Sequence, residues 1–134
     1  MESTEPSDGL FVLSDGRYQL ISGGKIAPMM SGPGYVLVNL ELANEFSVLQ
    51  VKGYSEQKAV VFNRRTNTEY SSYHALTIER IIDAEEVGGL DIPEFRLYAL
   101  NDIYLFVTSL LAEKLTEDDR FSYLQFSKGL QNFG

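Results

Sequence analysis

Apolar positions alternate or run together at several places along the chain, and the last third carries the clearest of these patterns. Phe95, Leu97 and Ala99 fall on one face of an extended run, Asn101-Asp102 interrupts it, and Ile103 to Thr108 resumes it, which is a hairpin signature. The second run is apolar on both faces and rich in aromatic and β-branched residues, so it predicts a central strand covered on each side. Thr108 or Ser109 then offers a hydroxyl oxygen that can accept from an unpaired N–H of a first helical turn. Leu110, Leu111 and Leu115 make a narrow apolar stripe, with Glu113, Lys114 and Glu117 turned to water. Phe121, Tyr123 and Gln125 alternate with Ser122, Leu124 and Phe126 as a closing strand does, giving the order strand, strand, short helix, strand.

Upstream, residues 1–9 are polar, contain Pro6 and Gly9, and predict a disordered N-terminal tail. Leu10 to Leu13 and Tyr18 to Ile21 flank Ser14-Asp15-Gly16 as a second hairpin. Residues 28–34 predict a loop, because Pro33 and two glycines oppose a regular element, and Tyr35 to Leu40 rises as a strand from the middle of a sheet. Residues 41–50 fit a helix through Leu42, Phe46 and Leu49, and a strand through the alternation at 47–51. Val60 to Phe62 is a short strand entering a polar turn at Asn63 to Asn67. Ala75 to Ile82 again fits either period, and Asp83 to Gly89 is a charged loop ended by glycines. The whole predicts an α+β fold, mostly antiparallel sheet with one to three short helices, in a single domain over residues 10–134.

A chain of 134 residues buries about two-thirds of its unfolded surface and needs no covalent staple. It has no cysteine, which removes disulfides, thiolate catalysis and cysteine-held metal centres and fits a reducing, cytoplasmic setting. The acidic N-terminus lacks the basic and apolar regions of a secretory signal, and the longest apolar run is about half the roughly 20 residues that span a bilayer, so no membrane association is expected. Charge is unevenly placed. Glu79 to Asp119 holds eleven acids against Arg80, Arg96 and Lys114, and so accounts for the full net charge of −8. Such a field repels nucleic acid and draws a basic partner. Three acids, Glu117, Asp118 and Asp119, gather where a helix should end, which opposes its dipole by about 0.3–1 kcal/mol per group. Either Thr116 opens a new turn with Asp119 at its capping-box position, or the cluster serves a partner.

Few residues carry a chemical signature. Ser22-Gly23-Gly24-Lys25 lacks the spacing of a phosphate loop. Arg64-Arg65 has no flanking basic stripe. His74 is the only histidine, no G-x-S-x-G elbow accompanies it, and a structural role beside Tyr70 and Tyr73 is the simpler reading. Carboxylate pairs such as Asp83 or Glu85 with Glu94 can be drawn on paper in any acidic chain. No catalytic residue, metal site or cofactor is therefore assigned.

The order Y-V-L-V-N-L at 35–40 with Glu45 and Ser47 close behind, I-E-R-I-I-D at 78–83, I-P-E-F-R-L at 92–97, the run from Ile103 to Leu115 and Y-L-Q-F at 123–126 resembles an immunity-protein family of bacterial polymorphic toxin systems. The resemblance covers residues 35–126. In that family a Thr-Gly pair stands where this chain has Asp118-Asp119-Arg120. It implies a binding protein, not an enzyme, whose partner is a cognate protein toxin that it neutralises by occlusion. An acidic surface suits a basic toxin, which makes Glu85, Glu86, Glu117, Asp118 and Asp119 the candidate contacts, with Tyr70 and Tyr73 as aromatic anchors. The alternative is a non-enzymatic adaptor or oligomerisation domain. The sequence carries no signature of a particular oligomeric state.

Overall fold

The computed structural model describes residues 2–4, 10–20, 26–32, 34–83, 85–90, 92–100, 104–124 and 126–128. In chain order the strands are β1 (Glu2–Thr4), β2 (Leu10–Val12), β3 (Tyr18–Leu20), β4 (Met29–Gly32) and β5 (Tyr35–Asn39), followed by helix α1 (Leu40–Val48). Then come β6 (Tyr54–Asn63), β7 (Thr68–Ile78), β8 (Ile81–Ile82), β9 (Leu97–Leu100), β10 (Tyr104–Val107), helix α2 (Ser109–Thr116) and β11 (Phe126–Lys128). Single 3₁₀ turns occupy Val87–Leu90 and Asp119–Phe121. Among the described residues one sheet has the order β11-β1-β10-β9-β8 and the other β2-β3-β6-β7-β5-β4. Pairing is antiparallel except β3 with β6 and β8 with β9. The result is a single α+β domain of mostly antiparallel sheet with two short α-helices.

The first sheet is organised on β10. It pairs with β9 as the expected hairpin, Tyr104 opposite Leu100 and Val107 opposite Leu97, while residues 101–103, where the turn is expected, lie outside the described residues. Leu105 and Val107 enter the central core and Phe106 the opposite one, so the strand is covered on both faces as its composition requires. Its other neighbour is β1, between β10 and β11. Glu2–Thr4 are thus strand where a disordered tail is expected, because the polar sequence of the segment hides a partner about a hundred residues away; residues 5–9 lie outside the described set. The closing strand is also displaced. Phe121 sits in a 3₁₀ turn and β11 begins at Phe126, because Asp118 caps a turn that the alternation at 121–126 does not reveal.

Thr108 does begin α2, yet its hydroxyl makes no cap bond. It is buried, donates to Glu94 O and accepts from Arg96 N at 3.2 Å, tying the helix start to the segment that leads into β9. The buried stripe of α2 is Leu111, Ala112 and Leu115; Leu110, expected in it, is 42 % exposed. In α1 the helical spacing prevails. Asn39 Oδ1 accepts from Leu42 N at 3.0 Å, and Leu42, Ala43 and Phe46 are buried.

The second sheet corrects two further expectations. Met29–Gly32 is a strand, β4, in register with β5 from Met29↔Val38 to Gly32↔Tyr35. The Tyr35 ring packs over Gly32, where a Cβ would lie 2.6 Å from its hydroxyl oxygen and displace it. Strand β6 runs for ten residues instead of three, since Ser55 to Lys58 is polar on both faces and carries no alternation to read. The undecided segment from Ala75 is strand: it completes β7, eleven residues long. Between the pairs Ala59↔Tyr73 and Val61↔Tyr70 the register shifts, a bulge that turns both tyrosines to the same apolar side.

The two sheets meet in one core. Val38, Leu42, Phe46 and Leu76 from the second sheet and α1 pack with Leu97, Leu105, Val107, Leu111, Leu115 and Phe121. The backbones are stitched at its edge, where Lys52 N donates to Phe95 O at 2.9 Å and Leu97 N to Lys52 O at 3.0 Å. Gly53 permits that approach: its φ is +94°, and a Cβ would sit 2.6 Å from Leu97 O.

Two outcomes are expected. Leu111→Ala lowers unfolding free energy by about 2–5 kcal/mol, whereas Leu110→Ala stays within about 0.5 kcal/mol of the parent; equilibrium denaturation compares them, and equal losses contradict the packing described. Gly53→Ala costs about 2 kcal/mol or more, from backbone strain together with collision against the neighbouring carbonyl.

Candidate functional site

The acids that end α2 are organised by the turn that follows them. Thr116 Oγ1 donates to Ala112 O at 2.7 Å within the helix, so it does not open a capping box. The cap is Asp118, whose Oδ1 accepts from Arg120 N at 3.0 Å and starts the turn Asp119–Phe121. Phe121, 1 % exposed, anchors that turn in the central core. The buried ring fixes Arg120, whose Cζ lies 4.9 Å from its centroid. The Arg120 guanidinium then spans two carboxylates, with Nη2 at 2.7 Å from both Asp118 Oδ2 and Glu45 Oε2. Glu45 comes from α1, 75 positions earlier. Together with Lys114, Glu117 and Asp119 these residues line a cleft of about 380 Å³.

The electrostatics follow from this geometry. The Arg120 side chain, helped by its backbone N–H, holds the Asp118 carboxyl below the usual carboxylate range, and Arg120 is in turn pushed above its ordinary value by hydrogen bonds to Asp118 and Glu45. Four carboxylates face two cations in the cleft. Because Arg120 engages Glu45 and Asp118, the exposed Glu117 and Asp119 are the acids left to meet an incoming charge.

The other expected contacts are placed elsewhere. Glu85 is exposed, and Glu86 pairs with Arg80 at 2.9 Å, in a turn where Asp83 Oδ1 accepts from both of their backbone N–H groups. That turn leaves the first sheet after Ile82, which is opposite Leu100, whereas α2 starts beyond Val107, opposite Leu97. No hydrogen bond or ion pair joins the two acidic groups among the described residues. The aromatic anchors need correction. Tyr73 is 5 % exposed and its hydroxyl donates to Ala27 O at 2.6 Å, so it is a core residue; Tyr70 is half-buried against the same cluster. The β-bulge turns both inward. His74 Nδ1 lies 3.4 Å from Glu56 Oε2 across the β6–β7 pair.

Glu94, considered as one member of an acid–base pair, is flanked by Lys52 at 3.4 Å and Arg96 at 3.5 Å. Burial pushes the Tyr123 phenol up to about 12, with Glu41 adding to the shift, so this tyrosine stays neutral at physiological pH. A second cavity, about 200 Å³, lies at the seam of the sheets against Val36, Leu76, Ile78, Ala99 and Tyr104 and is mainly apolar. Of the features of the acidic cleft, the contribution of Glu45 has no signal in sequence, because its distance from Arg120 along the chain is closed only when α1 and α2 both pack into the central core.

Asp118 supplies a test by pH. Its folded value is depressed below the unfolded value of about 3.9, so its contribution is complete above that value and is lost as pH falls through the folded one. Asp118→Asn keeps a capping oxygen and removes the charge. The variant is expected to melt below the parent at pH 7, with the gap narrowing as pH falls below about 4; a gap that stays constant on acidification contradicts the assignment. No helix among the described residues is long and apolar enough to cross a membrane. No protein-family model, no curated protein and no solved structure matches the chain.

Proposed function

We propose that the protein is a non-enzymatic inhibitor that binds a basic protein toxin and covers its working surface, as an immunity protein of a bacterial polymorphic toxin system does. The observation that carries the reading is the acidic end of α2, where Glu117 and Asp119 stand exposed at the rim of a cleft already lined by Glu45 and Asp118. Apolar surface lies nearby on both helices. Leu110, 42 % exposed, is one turn before Lys114 of the cleft, and Val48, 75 % exposed, is one turn after Glu45. Apolar side chains beside unpaired charge are the composition of a protein-binding patch: the charges steer the encounter and the apolar groups hold the complex. The resemblance over residues 35–126 favours the same role, and a chain without cysteine suits inhibition in a reducing cytoplasm.

The test uses the product of the open reading frame directly upstream as the partner. Co-expression is expected to yield a complex and restore viability. In stopped-flow association, Glu117→Lys with Asp119→Lys is expected to slow binding by about tenfold or more at low salt and to flatten the salt dependence. An unchanged rate with an unchanged salt slope removes the electrostatic basis of the proposal, and absence of any complex removes the proposal itself.

A further inference from the structure

Among the described residues one flank of β6 has no partner strand over half its length. Strand β3 covers only Val61 and Phe62, through Tyr18↔Val61 and Gln19↔Phe62, so among the described residues Tyr54 to Ala59 is paired with β7 alone. Ser55, Glu56, Gln57 and Lys58 are all exposed, although they alternate across the strand. The phase of the ladder says which backbone groups face outward. Glu79 N donates to Gly53 O at 2.8 Å, and this pair continues the register Tyr54↔Ile78. Hydrogen-bonded pairs alternate along an antiparallel ladder, so Ser55, Gln57 and Ala59 bond to β7 while Glu56 and Lys58 turn their N–H and C=O groups away from it. The far side of β7 agrees. Asn39, opposite Tyr73, sends its N–H to Pro28 O at 2.7 Å, which leaves Tyr73 to bond with Ala59.

We propose that this flank pairs with the same strand of a second copy, antiparallel about a two-fold axis at Gln57. In that register Glu56 lies opposite Lys58 of the other copy, and Lys58 opposite its Glu56, so opposite charges meet twice. The same register brings the outward N–H and C=O groups of residues 56 and 58 into bonding position, with the two Gln57 residues as a non-hydrogen-bonded pair. Centring the axis on Glu56 or on Lys58 sets like charges face to face. The ends of the slot fit as well. Strand β3 and the bulge before Val61 close one end, and at the other Gly53, with φ +94°, turns the chain away. A charged edge ordinarily repels strand addition; an acid and a base flanking one neutral residue make this edge complementary to itself. So short a contact falls below the roughly 1,200 Å² of a standard interface, and the dimer is concentration-dependent. The proposal is independent of the toxin-binding reading.

The chain lacks cysteine, so Gln57→Cys introduces a single thiol. Across the axis the Cα atoms of residue 57 lie about 4.5 Å apart, within the roughly 4.4–6.8 Å that a disulfide spans. Under mild oxidation the variant is expected to form a disulfide dimer at least about tenfold faster than Ser71→Cys, an exposed control on β7. In sedimentation equilibrium, Glu56→Lys and Lys58→Glu each weaken self-association by about tenfold, and the double exchange restores it. Loss of the Glu56 contact with His74 cannot mimic this pattern, because Lys58→Glu retains Glu56 beside His74 and is still expected to weaken self-association. Equal oxidation rates for the two thiols, or a double exchange no better than the single ones, overturns the proposal.

Discussion

Two sheets share one apolar core because the backbone at Lys52-Gly53 lies directly against that of Phe95 to Leu97. A side chain at position 53 would separate them, and the hydrogen bonds that Lys52 makes with Phe95 and Leu97 would lengthen with it. Everything that packs between the sheets depends on that spacing. Leu76 and Val38 on one side reach Leu97, Leu105 and Val107 on the other, and both helices lay their buried faces over the joint. Thr108 reinforces it from within, spending its hydroxyl on Glu94 and Arg96 instead of on its own helix.

The same joint places the acidic cleft. Because α1 and α2 sit on one core, Glu45 is brought within 2.7 Å of Arg120, and the buried ring of Phe121 fixes where that arginine stands. The acids at the end of α2 then divide by role. Asp118 is consumed by capping and by Arg120, which answers the unfavourable placement against the helix dipole, while Glu117 and Asp119 remain for solvent or a partner. A cluster that is uniform in sequence is thus part structure and part free charge.

The β6–β7 hairpin is the spine of the second sheet, and its two flanks differ. Strand β5 pairs with the outer side of β7 at Tyr73 to Ala75, whereas among the described residues β6 is covered only near its end by β3. Where β6 is covered, Val61 is buried; where it is not, four successive polar residues are exposed before Ala59 turns into the core. Polarity on both faces follows from position at an edge, and the bulge that separates the two regimes also turns Tyr70 and Tyr73 into the core.

Local chemistry in the sequence determined a good deal: the β9–β10 hairpin and the doubly covered β10, the β2–β3 hairpin about Asp15-Gly16, the helix starting at Thr108, and the concentration of acid between Glu79 and Asp119. These features are set by neighbours a few residues apart, whose alternation, turn residues and caps act without the rest of the chain. Tertiary structure decided what depends on distant partners. It made Glu2–Thr4 a strand between β10 and β11, extended β6 through a stretch with no apolar alternation, buried Tyr73, exposed Leu110 and joined Glu45 to Arg120. In each of these cases burial or pairing is conferred by a surface that exists only after the sheets close on their common core, and no local pattern of residues can encode a neighbour supplied from the far end of the chain.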